Sequence, residues 1–109
     1  MAELLGTFEQ AILVAVVRLG SVAYGRTILH QLQEGVRHSV SAGAVYTTLE
    51  RLEGRGLLRS RLEDGPPIRG GRPRRYYSIT SDGVRALNDA RRALAKIWEG
   101  VEWPVRAAS

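Results

Sequence analysis

Cysteine is missing from all 109 residues. That excludes disulfides, thiolate metal sites and a cysteine nucleophile, and it fits a reducing compartment. The two histidines, His30 and His38, stand apart with no second ligand pair beside them, so neither reads as a metal ligand. Long apolar runs are missing too. The longest, Ala11 to Val17, falls far short of the roughly 20 residues that a bilayer-spanning helix requires, and Met1-Ala2-Glu3 lacks the cationic start of a secretion signal. A soluble, cytoplasmic protein with no membrane partner is the expectation. Catalytic constellations are equally scarce. His38, Ser39 and Ser41 lie close in the chain, but no carboxylate is placed to orient a base, and neither a phosphate loop nor a metal cluster is visible. Neither an enzyme nor a cofactor is expected.

What the chain has in plenty is arginine. Fifteen of its sixteen basic residues are Arg, and the formal charge is +5. The excess is local: residues 1–50 carry a net −1, residues 51–80 a net +5 and residues 81–109 a net +1. Such a block reads as the footprint of a polyanion, because neutralised phosphates release their condensed counterions. A solvated surface in an arginine-favouring genome would have the same composition, but here the charge coincides with a turn motif. The length supports one domain with a single core, and a partner subunit would help cover its surface.

Hydrophobic spacing divides the chain into helices and one hairpin. Thr7, with Gln10 three residues on, reads as a capping box for a first helix that carries Phe8, Ile12, Leu13, Val16, Val17 and Leu19 to Gly20. Because Ala11 to Val17 is apolar around most of its circumference, one face is expected to meet the core and another a second subunit, through Phe8, Ile12 and Val16. A second helix runs from Gly25 to about Gln33 on Ile28, Leu29 and Leu32. Ser41 caps a third, in which Ala44, Val45, Thr48, Leu49 and Leu52 face inward and Ala42, Gly43, Tyr46, Thr47 and Glu50 outward. Gly54 and Gly56 close it.

Leu58, Ser60 and Leu62 then alternate with Arg59, Arg61 and Glu63, and after a glycine- and proline-bearing turn Arg75, Tyr77 and Ile79 alternate with Arg74, Tyr76 and Ser78. These are the arms of a hairpin. Thr80 caps a last helix of roughly 20 residues, about 30 Å long, with Asp82 in its first turn and Pro104 as its terminator. Its seam of Val84, Leu87, Leu94, Trp98 and Val101 is too long to be covered within so small a domain, so self-association through Leu87, Leu94, Trp98 and Val101 is expected. The fold class is mainly α with a small β-hairpin: a winged helix-turn-helix over residues 1–80, followed by a C-terminal dimerisation helix and short tail over 81–109, forming one compact unit. One helix lies in a major groove while the basic hairpin, the wing, reaches the flanking backbone.

The order of Leu5-Gly6-Thr7-Phe8-Glu9, Ala23-Tyr24-Gly25, Ser41-Ala42-Gly43-Ala44-Val45-Tyr46-Thr47-Thr48-Leu49, Arg51-Leu52-Glu53, Gly56-Leu57-Leu58, Arg69-Gly70-Gly71-Arg72-Pro73-Arg74-Arg75-Tyr76-Tyr77 and Ile79-Thr80 resembles the PadR-like bacterial transcriptional regulators, in particular the short members with a single C-terminal helix. It covers about residues 4 to 100. The resemblance implies a homodimeric repressor whose first and last helices form the dimer and whose third helices enter successive major grooves of a palindromic operator. It also implies release by a small phenolic or drug-like effector. Two features depart from the family pattern: a short tail carrying Trp103-Pro104, and the Pro66-Pro67 pair in the wing.

Candidate roles follow. Ser41 caps its helix and offers a hydroxyl to DNA, Ala42 and Gly43 allow close approach of the helix terminus to a phosphate, and Tyr46 and Thr47 are placed for base edges or phosphate. Tyr46 could equally pack on the second helix. Tyr24 and Gly25 resemble the family position that touches backbone. Arg51 could clamp a phosphate or pair with an acid. Arg69, Arg72, Arg74 and Arg75 are the wing contacts, Arg72 first because it lies nearest the tip and Arg75 last because its parity groups it with Tyr77 and Ile79. Trp98 and Trp103 could line an effector pocket, or Trp98 could simply fill the dimer interface. Two other functions stay open on the residues alone: a winged-helix module that binds a protein rather than DNA, and an RNA binder, although the usual aromatic stacking platform is missing.

Overall fold

The computed structural model describes residues 4–35, 39–64 and 73–102. The wing-tip residues Pro66, Pro67, Arg69 and Arg72, together with His38, Trp103 and Pro104, lie outside the described residues. Four helices and a two-stranded antiparallel sheet follow one another as α1 (Thr7–Leu19), α2 (Gly25–Gly35), α3 (Ala42–Gly54), β1 (Leu58–Glu63), β2 (Arg74–Ile79) and α4 (Ser81–Trp98), with a 3-10 turn at Gly20–Val22. This is the mainly helical architecture with a hairpin that the spacing predicts.

The start of α1 lies one residue earlier than its capping box suggests. Gly6 is the N-cap, and its N–H donates to Glu9 Oε1 at 3.0 Å. Gln10 instead donates from Nε2 to the Leu5 carbonyl at 3.0 Å. A carboxylate beside the positive end of the helix dipole is the stronger acceptor, so Glu9 takes the cap. Leu13, Ala15, Ile12 and Val16 are buried. This corrects the expected α1 interface: Ile12 and Val16, at 0% and 2% exposure, belong to the protomer's own core. The outward apolar residues of α1 are Val14 at 40% and Val17 at 55%, half a turn away on the helical wheel.

At the head of α2, Thr27 Oγ1 accepts from the Tyr24 N–H at 3.0 Å and donates to the Val22 carbonyl at 2.6 Å. The helix buries Ile28 and Leu32 and continues to Gly35, slightly beyond Gln33. The cap of α3 is as expected, with Ser41 Oγ accepting from the Ala44 N–H at 3.1 Å. Val45, Thr48, Leu49 and Leu52 turn inward. Ala44, placed inward by its spacing, is exposed, because the first turn of α3 overhangs the core and burial starts at Val45. At the other end Gly56 adopts φ +77°. Its N–H donates to the Glu53 carbonyl and the Leu57 N–H to the Leu52 carbonyl, both at 2.9 Å. That pair of bonds is a Schellman ending, which requires a left-handed residue after the cap.

From this turn the chain enters β1, which pairs with β2 in a register running from Leu58 opposite Ile79 to Glu63 opposite Arg74. Leu58 and Tyr77 are buried. The Tyr77 N–H also donates to the Ala23 carbonyl at 2.9 Å, so the segment before α2 lies along the free edge of β2.

Thr80 Oγ1 then accepts from the Gly83 N–H at 3.0 Å, capping α4, and donates to the Gly56 carbonyl at 2.7 Å. A Cβ on Gly83 would lie 2.2 Å from the Leu57 carbonyl oxygen, so glycine lets the first turn of α4 lie directly against that backbone. The helix spans 18 residues, close to the expected length, but Pro104 does not end it. The helix ends at Trp98, where Glu99 turns to ψ 127°, and Gly100 follows with φ +76°, before the proline is reached.

The N-terminal half of α4 packs Ala86, Leu87 and Ala90 on the core, while Leu94, Ile97 and Trp98 extend into solvent. A radius of gyration of 16.6 Å, against about 13 Å for a compact chain of this size, reflects that projection. Among the described residues no helix is long and apolar enough to cross a membrane.

Gly83→Ala is expected to lower unfolding stability by about 1–3 kcal/mol through overpacking against backbone. Gly43→Ala, where an added Cβ meets nothing within 4 Å, should be neutral or stabilising by up to about 1 kcal/mol. Urea midpoints of the two variants check both.

Candidate nucleic-acid interface

The first two turns of α3 form one exposed face made of Ser41, Ala42, Gly43, Ala44, Tyr46 and Thr47. Four buried residues on the opposite side hold it rigidly, so its outward side chains are presented without a loop's mobility. The face carries hydroxyls and small side chains and no acid until Glu50, and the amides of a helix's first turn lack intrahelical acceptors. Gly43 stands in open space. Nothing in the isolated protein requires glycine there.

Beside this face lies the base of the hairpin. The Arg74 guanidinium sits 4.5 Å from the centroid of the Tyr24 ring, Tyr24 meets Tyr76 edge-on with centroids 5.4 Å apart, and Arg61 lies 5.2 Å from the Tyr76 centroid. The result is a ladder, Arg74–Tyr24–Tyr76–Arg61, that joins the head of α2 to both strands. Tyr24 is therefore a support for Arg74. Tyr76 and Arg61 were not among the sequence candidates; the adjacent Tyr76-Tyr77 pair in a period-2 strand was the available signal, since one of the two had to face away from the core.

Between ladder and helix opens a cleft of about 650 Å³, whose walls include Tyr24, Arg26, Tyr46, Arg74, Arg75 and Tyr77 and, among the described residues, no carboxylate. Arg26 is a third residue that the pattern of the chain did not single out. It belongs to the cleft only because α2 and the wing meet there.

Three arginines are engaged by neighbouring side chains. Arg51 Nε lies 3.3 Å from Glu9 Oε2, and Arg55 Nη1 lies 3.3 Å from the same oxygen. Of the alternatives for Arg51, pairing with an acid is the one observed, and the acid is on α1. Arg75 Nη1 donates to Ser60 Oγ at 3.0 Å, while Ser60 donates to Glu53 Oε2 at 2.6 Å. Its parity with Tyr77 places it there. Arg74, on the other face, remains at the cleft.

Burial and the nearby Glu53 carboxylate push the Tyr77 phenol above its ordinary 10.0, with Arg75 opposing. A raised folded-state value means that this contribution to stability is fully present below pH 10 and is lost as pH rises further.

Gly25 is buried at the head of α2, with the Tyr46 ring lying against it. It packs against that ring and also lines the cleft. Tyr46 packs on α2 as one of its two expectations had it, and the residue remains half exposed.

Away from this surface, α1 and α4 border an apolar groove of about 350 Å³ lined by Val14, Val17, Ile79, Val84, Leu87 and Arg91. Phe8 and Leu87 are partly buried against the core. Leu94, Trp98 and Val101 stay largely exposed. Among the described residues no group of His, Cys, Asp or Glu could hold a metal ion.

A winged helix-turn-helix with a cationic cleft beside its third helix is the class of protein that this geometry defines. Residues 12–89 match the transcriptional regulator PadR-like family, and the chain belongs to it, a family of regulators and not of enzymes. Transcriptional regulator Rv3488 of Mycobacterium tuberculosis is 45% identical over 67 residues, which are 60% of this chain and 59% of that protein. The match thus spans somewhat over half of that relative's length. A PadR-like regulator from Bacillus cereus superposes with a TM-score of 0.68 at 26% identity over 84% of each chain. A PadR family regulator from Eggerthella lenta gives 0.65 at 28% identity, covering 83% of this chain and 76% of that one.

Removing the ring of Tyr24 takes away a cation–π contact and an edge-on aromatic contact together. Tyr24→Leu should cost about 1–2 kcal/mol of unfolding stability, whereas Tyr24→Phe, which keeps the ring face, should stay near wild type. Denaturant midpoints of the pair measure the difference.

Proposed function

We propose that the protein is a homodimeric, DNA-binding repressor that reads a palindromic operator. The carrying observation is the continuity of the exposed α3 face with the carboxylate-free arginine cleft at the base of the wing. A helix of this width fits a major groove, and the strand of phosphates bordering that groove would pass the cleft. Ser41, Ala42, Gly43, Tyr46 and Thr47 face the bases and the nearest phosphates in this reading. Tyr24 and Arg74 act at the backbone, with Arg75 behind them and Arg69 and Arg72 supplied by the wing tip. Arg51 contributes little, being engaged with Glu9. Membership of a transcriptional-regulator family supports the same reading.

Dimerisation is assigned to α4 and the outward side of α1, with residues 81–109 as the C-terminal dimerisation part and residues 1–80 as the DNA-binding part. Exposed Val14, Val17, Leu94, Trp98 and Val101 support it, since so many apolar side chains left in water would otherwise lower solubility. Release by a small aromatic effector stacking on Trp98, with Trp103 contributing from the tail, completes the proposal.

Footprinting should show two protected half-sites about 34 Å apart. Affinity for duplex should fall with salt on a log–log slope that Arg74→Ala makes shallower by about 0.9, one phosphate's share. Leu94→Asp should yield a monomer by analytical ultracentrifugation. A monomeric wild-type chain that protects one half-site would overturn the dimeric reading.

A further inference from the structure

Glycine at position 25 needs an explanation of its own. It starts α2, where glycine is a poor helix former, and its backbone is not the reason, since the positive-φ glycines among the described residues are Gly20, Gly56 and Gly100. The reason is space. A Cβ at this position would lie 2.2 Å from Cε1 of Tyr46 and 2.8 Å from both Cζ and the phenolic oxygen.

We infer that Gly25 is a positioning residue for Tyr46: the missing side chain is the seat on which the ring lies, and it sets where the phenol meets nucleic acid. The inference rests on the DNA-binding reading above. Tyr46 carries the only aromatic ring on the outward face of α3, and its hydroxyl end is the part nearest Gly25. Anything that fills the seat moves that end.

The same geometry makes the effect separable from folding. At Gly83 an added methyl group strikes the backbone carbonyl of Leu57, whereas at Gly25 it strikes the far end of a side chain that is half exposed. Alanine at position 25 therefore leaves the fold standing and displaces the phenol. Arg74 and Arg75 stay where they are, held by Tyr24, Ser60 and the sheet.

A double-mutant cycle tests this. Wild type, Gly25→Ala, Tyr46→Ala and the double variant are titrated, at fixed salt, with the fluorescein-labelled duplex that wild type enriches most strongly from a randomised library. Gly25→Ala is expected to weaken binding about tenfold when Tyr46 is present and by less than about twofold when it is alanine. The salt slope and the urea midpoint should hardly change. Equal losses in both backgrounds would mean that Gly25 itself meets the backbone, and a Gly25→Ala protein that binds like wild type would mean that the ring's seat is immaterial; either overturns the inference and leaves DNA binding intact. Failure of wild type to enrich any duplex overturns both.

Discussion

The backbone around Leu57 is the junction from which the functional surface takes its shape. Leu57 donates its N–H to the end of α3 and accepts at its carbonyl from the Thr80 N–H at 3.1 Å, while the Thr80 hydroxyl bonds the Gly56 carbonyl. Gly83 lies directly against the same Leu57 carbonyl. One turn thereby fixes the exit of α3, the first residue of β1, the end of β2 and the first turn of α4. Buried polar backbone must find partners, and here each partner belongs to a different element. The angle between the third helix and the wing, and the direction in which α4 leaves the domain, both follow.

Burial is arranged around that junction on two sides only. Ile12, Leu13, Val16, Ile28, Val45, Leu49, Leu52 and Leu58 fill one core, while the outer side of α1 and the distal half of α4 keep apolar side chains in water. A small domain buries a limited share of its surface. The exposed valines, Leu94 and Trp98 are thus the counterpart of a core too small to absorb them. A separate surface, at the base of the wing, carries arginines supported by aromatic rings.

Much of this was legible in the chain. Ser41 and Thr80 cap the helices they were expected to cap, because a hydroxyl just before an apolar periodic run satisfies an otherwise orphaned amide whatever surrounds it. The hairpin arms follow from period-2 alternation. The cap of α1 was displaced by one residue, because Thr7, Glu9 and Gln10 all have side chains capable of the bond and only the folded geometry shows which reaches it. Ile12 and Val16 were placed at an interface because a helix apolar on all sides does not say which side faces its own core. That Tyr46 packs on Gly25 in particular was hidden, because space beside a glycine is invisible until the neighbouring helix is in place.

Periodicity, caps and the clustering of arginine were enough to point to the winged helix-turn-helix and the side of the third helix that faces outward, since these depend on residues close together in the chain; the family came from the resemblance of an ordered set of short motifs. Which arginines are tied up, which valines remain outside, and that Tyr46 rests on Gly25 were decided by tertiary structure alone. Each depends on two elements far apart in sequence approaching within a few ångströms, and no local pattern carries that distance.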